Sequence, residues 1–198
     1  MEPFKSLIST AVPLPVEHVD TDQIIPARFL KMVTKRGFGE QLFRDWRYHR
    51  DGQPNADFVL NNPVYRGEIL VAGHNFGCGS SREHAAWALV QYGFRVVVSS
   101  EFADIFKNNA LNNGLLTVEV TPEVLHEVFS VIERSPAARF EIDLPEQRFT
   151  ILETGQEVHF EINPFKKQCL VRGMDELDYL LSLDQDISAF EQRQITFA

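Results

Sequence analysis

Residues 73–86 read GHNFGCGSSREHAA, and this stretch indicates an α/β fold because it joins a predicted strand to a predicted helix. The preceding residues 68–73 (EILVAG) form a short apolar run typical of a strand, and residues 82–92 space their apolar side chains as a helix does. The three glycines of the loop allow successive backbone N–H groups to turn toward one point, where the helix dipole adds positive potential. The loop therefore predicts an anion-binding site.

The side chains of this loop also suit an anion. Arg82 carries a planar set of donors that fits a carboxylate or a phosphate, and the hydroxyls of Ser80 and Ser81 are expected at the mouth of the site. The backbone of Gly77, Cys78 and Gly79 would supply N–H donors. A plainer reading remains open, in which one of the two serines only caps the helix.

Two common phosphate-binding patterns do not fit the loop. A P-loop needs a lysine followed by serine or threonine after its last glycine, and none follows Gly79. The dinucleotide fingerprint comes closer, because Glu101 ends the next predicted strand at about the expected distance, but Arg82 stands in the place of the third glycine. The match to the dinucleotide fingerprint is therefore partial.

The chain around the loop has the pattern of an α/β fold. Strands and helices are predicted in alternation at 68–73, 82–92, 95–100, 102–112, 115–120 and 122–134. Residues 139–162 alternate apolar and polar side chains around turn signals, which indicates antiparallel hairpins. An earlier strand is predicted around Leu14 to His18, and an amphipathic helix at about 173–183.

Two segments lack sustained periodicity. Residues 27–57 are rich in charged, aromatic and turn-forming residues, and we expect long loops and short helices that line a site or meet a partner. The tail at 184–198 is polar and is expected to be disordered or docked on a partner. At 198 residues, of which 44% are apolar, the chain is expected to form a single domain over residues 1–198.

Composition and charge exclude several classes of protein. The net charge of −9 opposes nucleic-acid binding or attachment to an anionic membrane as the main task. The N-terminus lacks the apolar core of a signal peptide, and no apolar run approaches membrane-spanning length, so we expect a cytoplasmic protein. An anionic ligand of this acidic chain must be attracted by local positive groups.

Cysteine content bears on metals and redox chemistry. Only Cys78 and Cys169 are present, so the chain has no disulfide framework and no CxxC pair, and it cannot supply the ligands of an iron–sulfur cluster. No metal site is predicted. Cys78 could act as a nucleophile or a cluster ligand if electropositive surroundings lowered its pKa, but a small packed cysteine is the favoured reading. Cys169 is predicted to belong to the core.

Four segments together resemble a known family. They are DTDQIIPARFL at 20–30, the 73–86 loop, FADIFKNNALNNGLL at 102–116 and a closing segment that begins FKKQCLVRGMDELDYLL at 165. The chain resembles the small subunits of 3-isopropylmalate dehydratase, in the aconitase superfamily, over nearly its whole length. The resemblance implies a swivelling β/β/α domain, like the mobile last domain of aconitase, with added antiparallel hairpins.

The resemblance also implies an activity and a partner. The family isomerises 2-isopropylmalate, a hydroxy di-acid, to 3-isopropylmalate through dehydration and rehydration, a step of leucine biosynthesis. Such a hydro-lyase is active only as a complex with a large subunit, which holds a [4Fe-4S] cluster by three cysteines. The chain alone would bind no cofactor.

Roles for individual residues follow from the same resemblance. Ser80 matches the catalytic base, which acts as an alkoxide, and Arg82 matches the arginine that binds a substrate carboxylate and supports that anion. Ser81 matches an adjacent substrate-binding serine, and Asp22 lies at the edge of the site. The loop that reads the variable side chain of the substrate would contain Arg28, Phe29, Leu30 and Lys31.

Other functions remain open at this point. Within the superfamily, the chain could serve a homoaconitase or a methylmalate-type hydratase, because specificity depends on the poorly patterned loop at 27–36. In another class, it could be a stand-alone nucleotide- or anion-binding module. Without the downstream motif, Asp22 would be read as a turn residue, and Arg28 and Lys31 as solvated charges.

Overall fold

The computed structural model describes residues 1–31 and 36–195, which form a mixed α/β structure around one seven-stranded sheet. Strand order is β4-β3-β2-β1-β5-β6-β7. The strands are β1 (Ser6–Leu14), β2 (Ile69–Ala72), β3 (Val96–Ser99), β4 (Leu116–Glu119), β5 (Arg139–Asp143), β6 (Arg148–Ile151) and β7 (Gln156–His159). Strand β1 joins a parallel half to an antiparallel half, because it pairs parallel with β2 and antiparallel with β5.

Two helices connect the consecutive parallel strands β2, β3 and β4, and other helices lie before and after them in the chain. The α-helices are α1 (Thr21–Ile24), α2 (Arg44–Arg47), α3 (Glu83–Tyr92), α4 (Asp104–Asn112), α5 (Pro122–Arg134), α6 (Pro164–Arg172), α7 (Glu176–Ser182) and α8 (Asp184–Ile195). Short 3-10 turns occupy Ala27–Lys31, Gly39–Gln41 and Val59–Asn61. The predicted alternation of strands and helices after residue 68 is confirmed, and so are the predicted hairpins, which are β5-β6 and β6-β7.

Both faces of the parallel half are covered. All residues of β2 and β3 are buried, which explains why these strands read as continuous apolar runs. Helices α3 and α4 share one core cluster with Leu70 and Val97, and α5 shares the other with Val71 and Val98. The 73–82 loop follows the carboxyl end of β2, at the edge of the sheet where ligands of open α/β sheets commonly bind.

The predicted strand at Leu14 to His18 is wrong in its bounds. Strand β1 covers Ser6–Leu14 and ends just before Pro15. The chain turns at Pro15, because the N–H of Val16 donates to the Leu14 carbonyl at 2.7 Å and closes a three-residue turn. The residues after Pro15 instead lead the chain to the DTDQIIP segment at the sheet edge.

The C-terminal predictions also need correction. The helix expected at 173–183 is preceded by α6, which begins at Pro164 because the Asn163 side chain accepts hydrogen bonds from the N–H groups of Phe165 and Lys166. Helix α7 follows at Glu176–Ser182. The tail was expected to be disordered or docked on a partner. Its described part forms α8, which contradicts disorder there, while docking on a partner stays a prediction; residues 196–198 lie outside the described part.

Candidate active site

The 73–82 loop lies at the carboxyl edge of the parallel strands, beside the segment that follows β1. The N–H of Gly77 donates to the Val19 carbonyl at 2.8 Å, and the N–H of Thr21 donates to the Cys78 carbonyl at 2.9 Å. Asp20 and Cys78 form a parallel bridge between these hydrogen bonds. Two motifs about sixty residues apart in the chain are therefore one structural unit.

Ser80 occupies the open side of this unit. Both Ser80 and Ser81 are exposed. The backbone at Ser80 is held on its buried side, because the hydroxyl of the buried Thr21 donates to the Ser80 carbonyl at 2.8 Å. Within residues 1–31 and 36–195 the Ser80 hydroxyl has no hydrogen-bond partner, so it is available to a ligand.

Helix α3 begins at Glu83, one residue later than predicted. Arg82 occupies the N-cap position and makes no side-chain capping bond, so neither serine caps the helix. Among the described residues, the backbone N–H groups of Gly79, Ser80 and Ser81 donate to no protein acceptor. Unused N–H groups that run into a helix N-terminus are the donors that an anion site requires.

Two glycines of the loop are required by close packing. Gly77 and Gly79 have φ of +79° and +86°, a region that other residues rarely adopt. A Cβ at Gly77 would lie 2.2 Å from Cγ of Phe106, and a Cβ at Gly79 would lie 2.2 Å from Oδ2 of Asp20. The shape of the loop therefore depends on both positions lacking a side chain.

Gly77→Ala is expected to lower the free energy of unfolding by about 2–5 kcal/mol. The strain of an alanine backbone at positive φ and the clash of its Cβ with the Phe106 ring both contribute. Gly155→Ala is the matched control, since Gly155 has φ of +73° but no atom within 4 Å of the added Cβ. The control should lose only about 1–2 kcal/mol. Urea unfolding of the three proteins measures the difference, and equal losses in the two variants would contradict the close packing.

Arg82 is held by Asp22. Arg82 Nη2 donates to Asp22 Oδ2 at 2.7 Å, and Nη1 pairs with Oδ1. The Arg82 side chain is 12% exposed and that of Asp22 is 51% exposed, so the arginine is largely enclosed and its partner faces solvent. Asp22 Oδ1 also accepts the N–H of Ala27 at 3.1 Å, which ties the arginine to the turn that carries residues 27–31.

This pair changes the pKa values of both groups. The hydrogen bond from Arg82 lowers the pKa of Asp22 below its ordinary value of 3.8, and the same bond raises the pKa of Arg82. Because the carboxyl pKa is lower in the folded state, the contribution of Asp22 to stability is present above about pH 4 and is lost as pH falls through the folded pKa.

A pH series on wild type and Asp22→Asn checks the sign. At pH 7 we expect wild type to be more stable by about 1 kcal/mol, because solvent screens the half-exposed Asp22 carboxylate. At pH 3 the difference in free energy of unfolding between wild type and variant should be smaller. Protonation removes the charge of Asp22 from wild type, while the amide of the variant does not titrate. A gap that stays constant between pH 3 and pH 7 would contradict the pairing.

Cys78 does not have the electropositive surroundings that were considered for it. Burial raises the pKa of its thiol, and the nearby Asp20 carboxylate raises it further. The thiol donates to the His18 carbonyl at 3.3 Å. The idea of a lowered pKa is therefore wrong, because Asp20 is the charge that acts on this thiol. Cys169 is buried, as predicted for a core residue.

The four residues of the predicted specificity loop, Arg28 to Lys31, do not all face the same cavity. Arg28 and Phe29 line a cavity of about 670 Å³, while Leu30 is half buried, Lys31 is exposed, and neither lines that cavity. Arg28 pairs with Asp45, and its guanidinium carbon lies 4.7 Å from the centroid of the Phe29 ring. Residues 32–35 of the predicted loop at 27–36 lie outside the described residues.

Sequence reasoning missed the supporting roles of Asp20 and Thr21. The Asp20 side chain accepts a hydrogen bond from the N–H of Asp22, and the Gln23 side chain accepts one from the N–H of Asp20. Asp20 and Gln23 therefore form a capping box at the start of α1. The D-x-x-Q spacing at 20–23 is the signal that could have indicated this box. Asp45 was missed as well, because nothing in the sequence pairs it with Arg28.

Across residues 1–31 and 36–195, no three histidine, cysteine, aspartate or glutamate side chains form a group that could hold a metal ion. In the same part of the chain, no helix combines the length and apolar character needed to cross a bilayer.

Comparison with known proteins places these features in a family. Residues 1–123 match the family model of the aconitase C-terminal domain. A 3-isopropylmalate dehydratase small subunit from Cytophaga hutchinsonii is 57% identical over 192 residues, which cover 97% of this chain and 96% of that protein. The chain belongs to the family of 3-isopropylmalate dehydratase small subunits.

Further members of the family agree. The small subunit from Christiangramia forsetii is 57% identical over 194 residues, which cover 98% of this chain and 95% of that protein. A solved structure of 3-isopropylmalate dehydratase from Methanocaldococcus jannaschii matches with a TM-score of 0.67 and 26% identity, and the match covers 93% of this chain and 98% of that one. The predicted family and its α/β fold class are confirmed.

Proposed function

We propose that this chain is the small subunit of a hydro-lyase that isomerises 2-isopropylmalate to 3-isopropylmalate in leucine biosynthesis. The observation that carries the proposal is the exposed Ser80 hydroxyl, which lies among unused backbone N–H groups, two residues before an arginine held by Asp22. The names and near full-length similarity of the relatives support it. The partner would be the large subunit of the same enzyme.

The chemistry explains why this loop suits the reaction. Removal of a proton from the carbon next to a carboxylate builds negative charge, so the site needs a base and fixed positive donors. Ser80 Oγ would take the proton as an alkoxide, stabilised by the N–H groups at the start of α3. Arg82 Nη2 donates to Asp22, and among the described residues the buried Nη1 makes an ion pair with Asp22 but no hydrogen bond. The guanidinium has five N–H donors, so others remain for a substrate carboxylate.

The remaining binding roles belong to the same proposal. Ser81 would donate to the substrate, and Arg28, Phe29, Leu30 and Lys31 would contact its variable side chain. We expect the large subunit to hold a [4Fe-4S] cluster, which would supply a Lewis acid for the leaving hydroxyl. Residues 1–198 would act as one domain, which is supported by the position of β1 in both halves of the sheet. We expect the enzyme to work in the cytoplasm.

The test is an assay of the complex with its large subunit against three substrates: the di-acids 2-isopropylmalate and 2-methylmalate, and the tri-acid homoaconitate. We expect kcat/KM to be highest for 2-isopropylmalate by about tenfold or more, because apolar groups such as Phe29 and Leu30 favour a branched alkyl side chain. A complex that prefers homoaconitate or 2-methylmalate would assign the chain to a related hydratase instead.

A binding module is the rival from another class. Such a module would bind a nucleotide without any partner, whereas the reaction of the proposed subunit requires no nucleotide. Titration of the isolated chain with NAD and ATP separates the two functions. Micromolar affinity for either would favour the module.

A further inference from the structure

A positively charged cavity lies between the 3-10 turn at Ala27–Lys31 and the segment around α2. It has a volume of about 670 Å³, within the range of small-molecule sites. Its lining includes three arginines, Arg28, Arg44 and Arg50, and two aromatic side chains, Phe29 and Tyr48. Such a cluster of guanidinium groups is notable in a chain with a net charge of −9.

The positive charge of this cavity is only partly neutralised. Arg28 is paired with Asp45, while Arg44 and Arg50 form no ion pair within residues 1–31 and 36–195. The guanidinium carbon of Arg44 lies 3.9 Å from the centroid of the Tyr48 ring, a cation–π contact that orients the group without cancelling its charge. The cavity therefore holds three guanidinium groups against the single carboxylate of Asp45, which also interacts with the charge of Arg44.

The walls indicate the chemical class of the ligand. Guanidinium groups suit carboxylates, and the rings of Phe29 and Tyr48 provide apolar surface for an organic body. Inorganic phosphate has no such body, so it would leave the aromatic walls unused.

We propose that this cavity binds a small organic di-acid and serves as a capture site for the substrate of the complex. The inference rests on the proposed function, because that function makes the substrate a di-acid. An acidic chain repels a dianion at long range, and a concave group of arginines reverses the sign of the potential locally. Arg28 also connects the cavity to the 73–82 loop. The N–H of the preceding residue, Ala27, donates to Asp22, and Asp22 accepts a hydrogen bond from Arg82 of that loop.

Direct binding to the full chain is the first test. Side-chain NMR signals of the arginines would be followed during titration with 2-isopropylmalate and, separately, with inorganic phosphate. We expect saturable shifts of Arg44 and Arg50 with 2-isopropylmalate, at least about threefold tighter than with phosphate, and loss of the binding in Arg44→Gln and Arg50→Gln. The control Arg134→Gln removes the same charge from an exposed site on α5 and should bind as wild type does. Absent shifts, or equal affinity for phosphate, would overturn the proposal.

Kinetics of the complex with the large subunit form the second test. We expect Arg44→Gln and Arg50→Gln each to raise KM about three- to tenfold with little change in kcat, because each removes a charge-assisted contact made before the chemical step. Added salt should raise KM more in wild type than in the variants. An active complex whose KM is unaffected by both substitutions would overturn the capture role. A complex inactive toward every di-acid would instead overturn the proposed function, while the NMR titration would still decide whether the cavity binds di-acids.

Discussion

Ser80→Ala is expected to lower kcat of the assembled complex by about a thousandfold or more, because it removes the group proposed to take the proton. The exposed hydroxyl makes no hydrogen bond within the described residues, so its loss should not disturb folding. Melting temperature and affinity for the large subunit should therefore match those of wild type. Steady-state assays at saturating 2-isopropylmalate measure the effect.

Ser188→Ala is the matched control for this experiment. Ser188 is an exposed serine of α8, so Ser188→Ala makes the same change of side chain more than one hundred residues after the 73–82 loop in the sequence. It should retain wild-type kcat within about twofold. If Ser80→Ala were as active as Ser188→Ala, Ser80 would have no role as the base.

Arg82→Lys is expected to lower kcat/KM by about a hundredfold, although the charge is kept. A lysine carries one ammonium group and cannot hold both oxygens of Asp22 while it offers further donors to a substrate carboxylate. If Arg82 also stabilises the alkoxide of Ser80, the loss should appear in kcat as well as in KM. Separate measurement of kcat and KM distinguishes binding of the carboxylate from support of the base.

Arg148→Lys provides the control for Arg82→Lys. Arg148 Nη1 lies 3.8 Å from Glu157 Oε2 on the antiparallel hairpins, so this is also an arginine–carboxylate pair, but an open one on another part of the sheet. Its kcat/KM should stay within about twofold of wild type, since exposed ion pairs contribute little. Wild-type kinetics in Arg82→Lys would mean that the bidentate geometry is not used in the reaction.

Much of the fold was predictable because it depends on local patterns. The apolar runs of β2 and β3 and the periodicity of α3 and α5 are visible within short windows of sequence. The strand–loop–helix arrangement around residues 73–82 was predictable for the same reason. The exposed position of Ser80 agrees with its predicted place at the mouth of the loop.

The remaining features depend on contacts between distant segments. The bridge between Asp20 and Cys78 and the pair of Asp22 with Arg82 require β1 to lie beside β2, and no local pattern fixes that order. The pKa of Cys78 was misjudged because the loop was considered without Asp20 beside it. The bounds of β1 were misplaced because residues after Pro15 continue an apolar pattern without pairing in the sheet.

We propose that this chain supplies part of an active site that its large subunit completes. The most direct test of this claim is the isomerisation rate of 2-isopropylmalate at a fixed concentration of this chain while the large subunit, with its cluster intact, is added. We expect no rate without the large subunit, a rise with each addition, and a plateau once the two subunits are equimolar. A chain that converts 2-isopropylmalate alone, or a mixture that never becomes active although the two proteins bind each other, would contradict the claim.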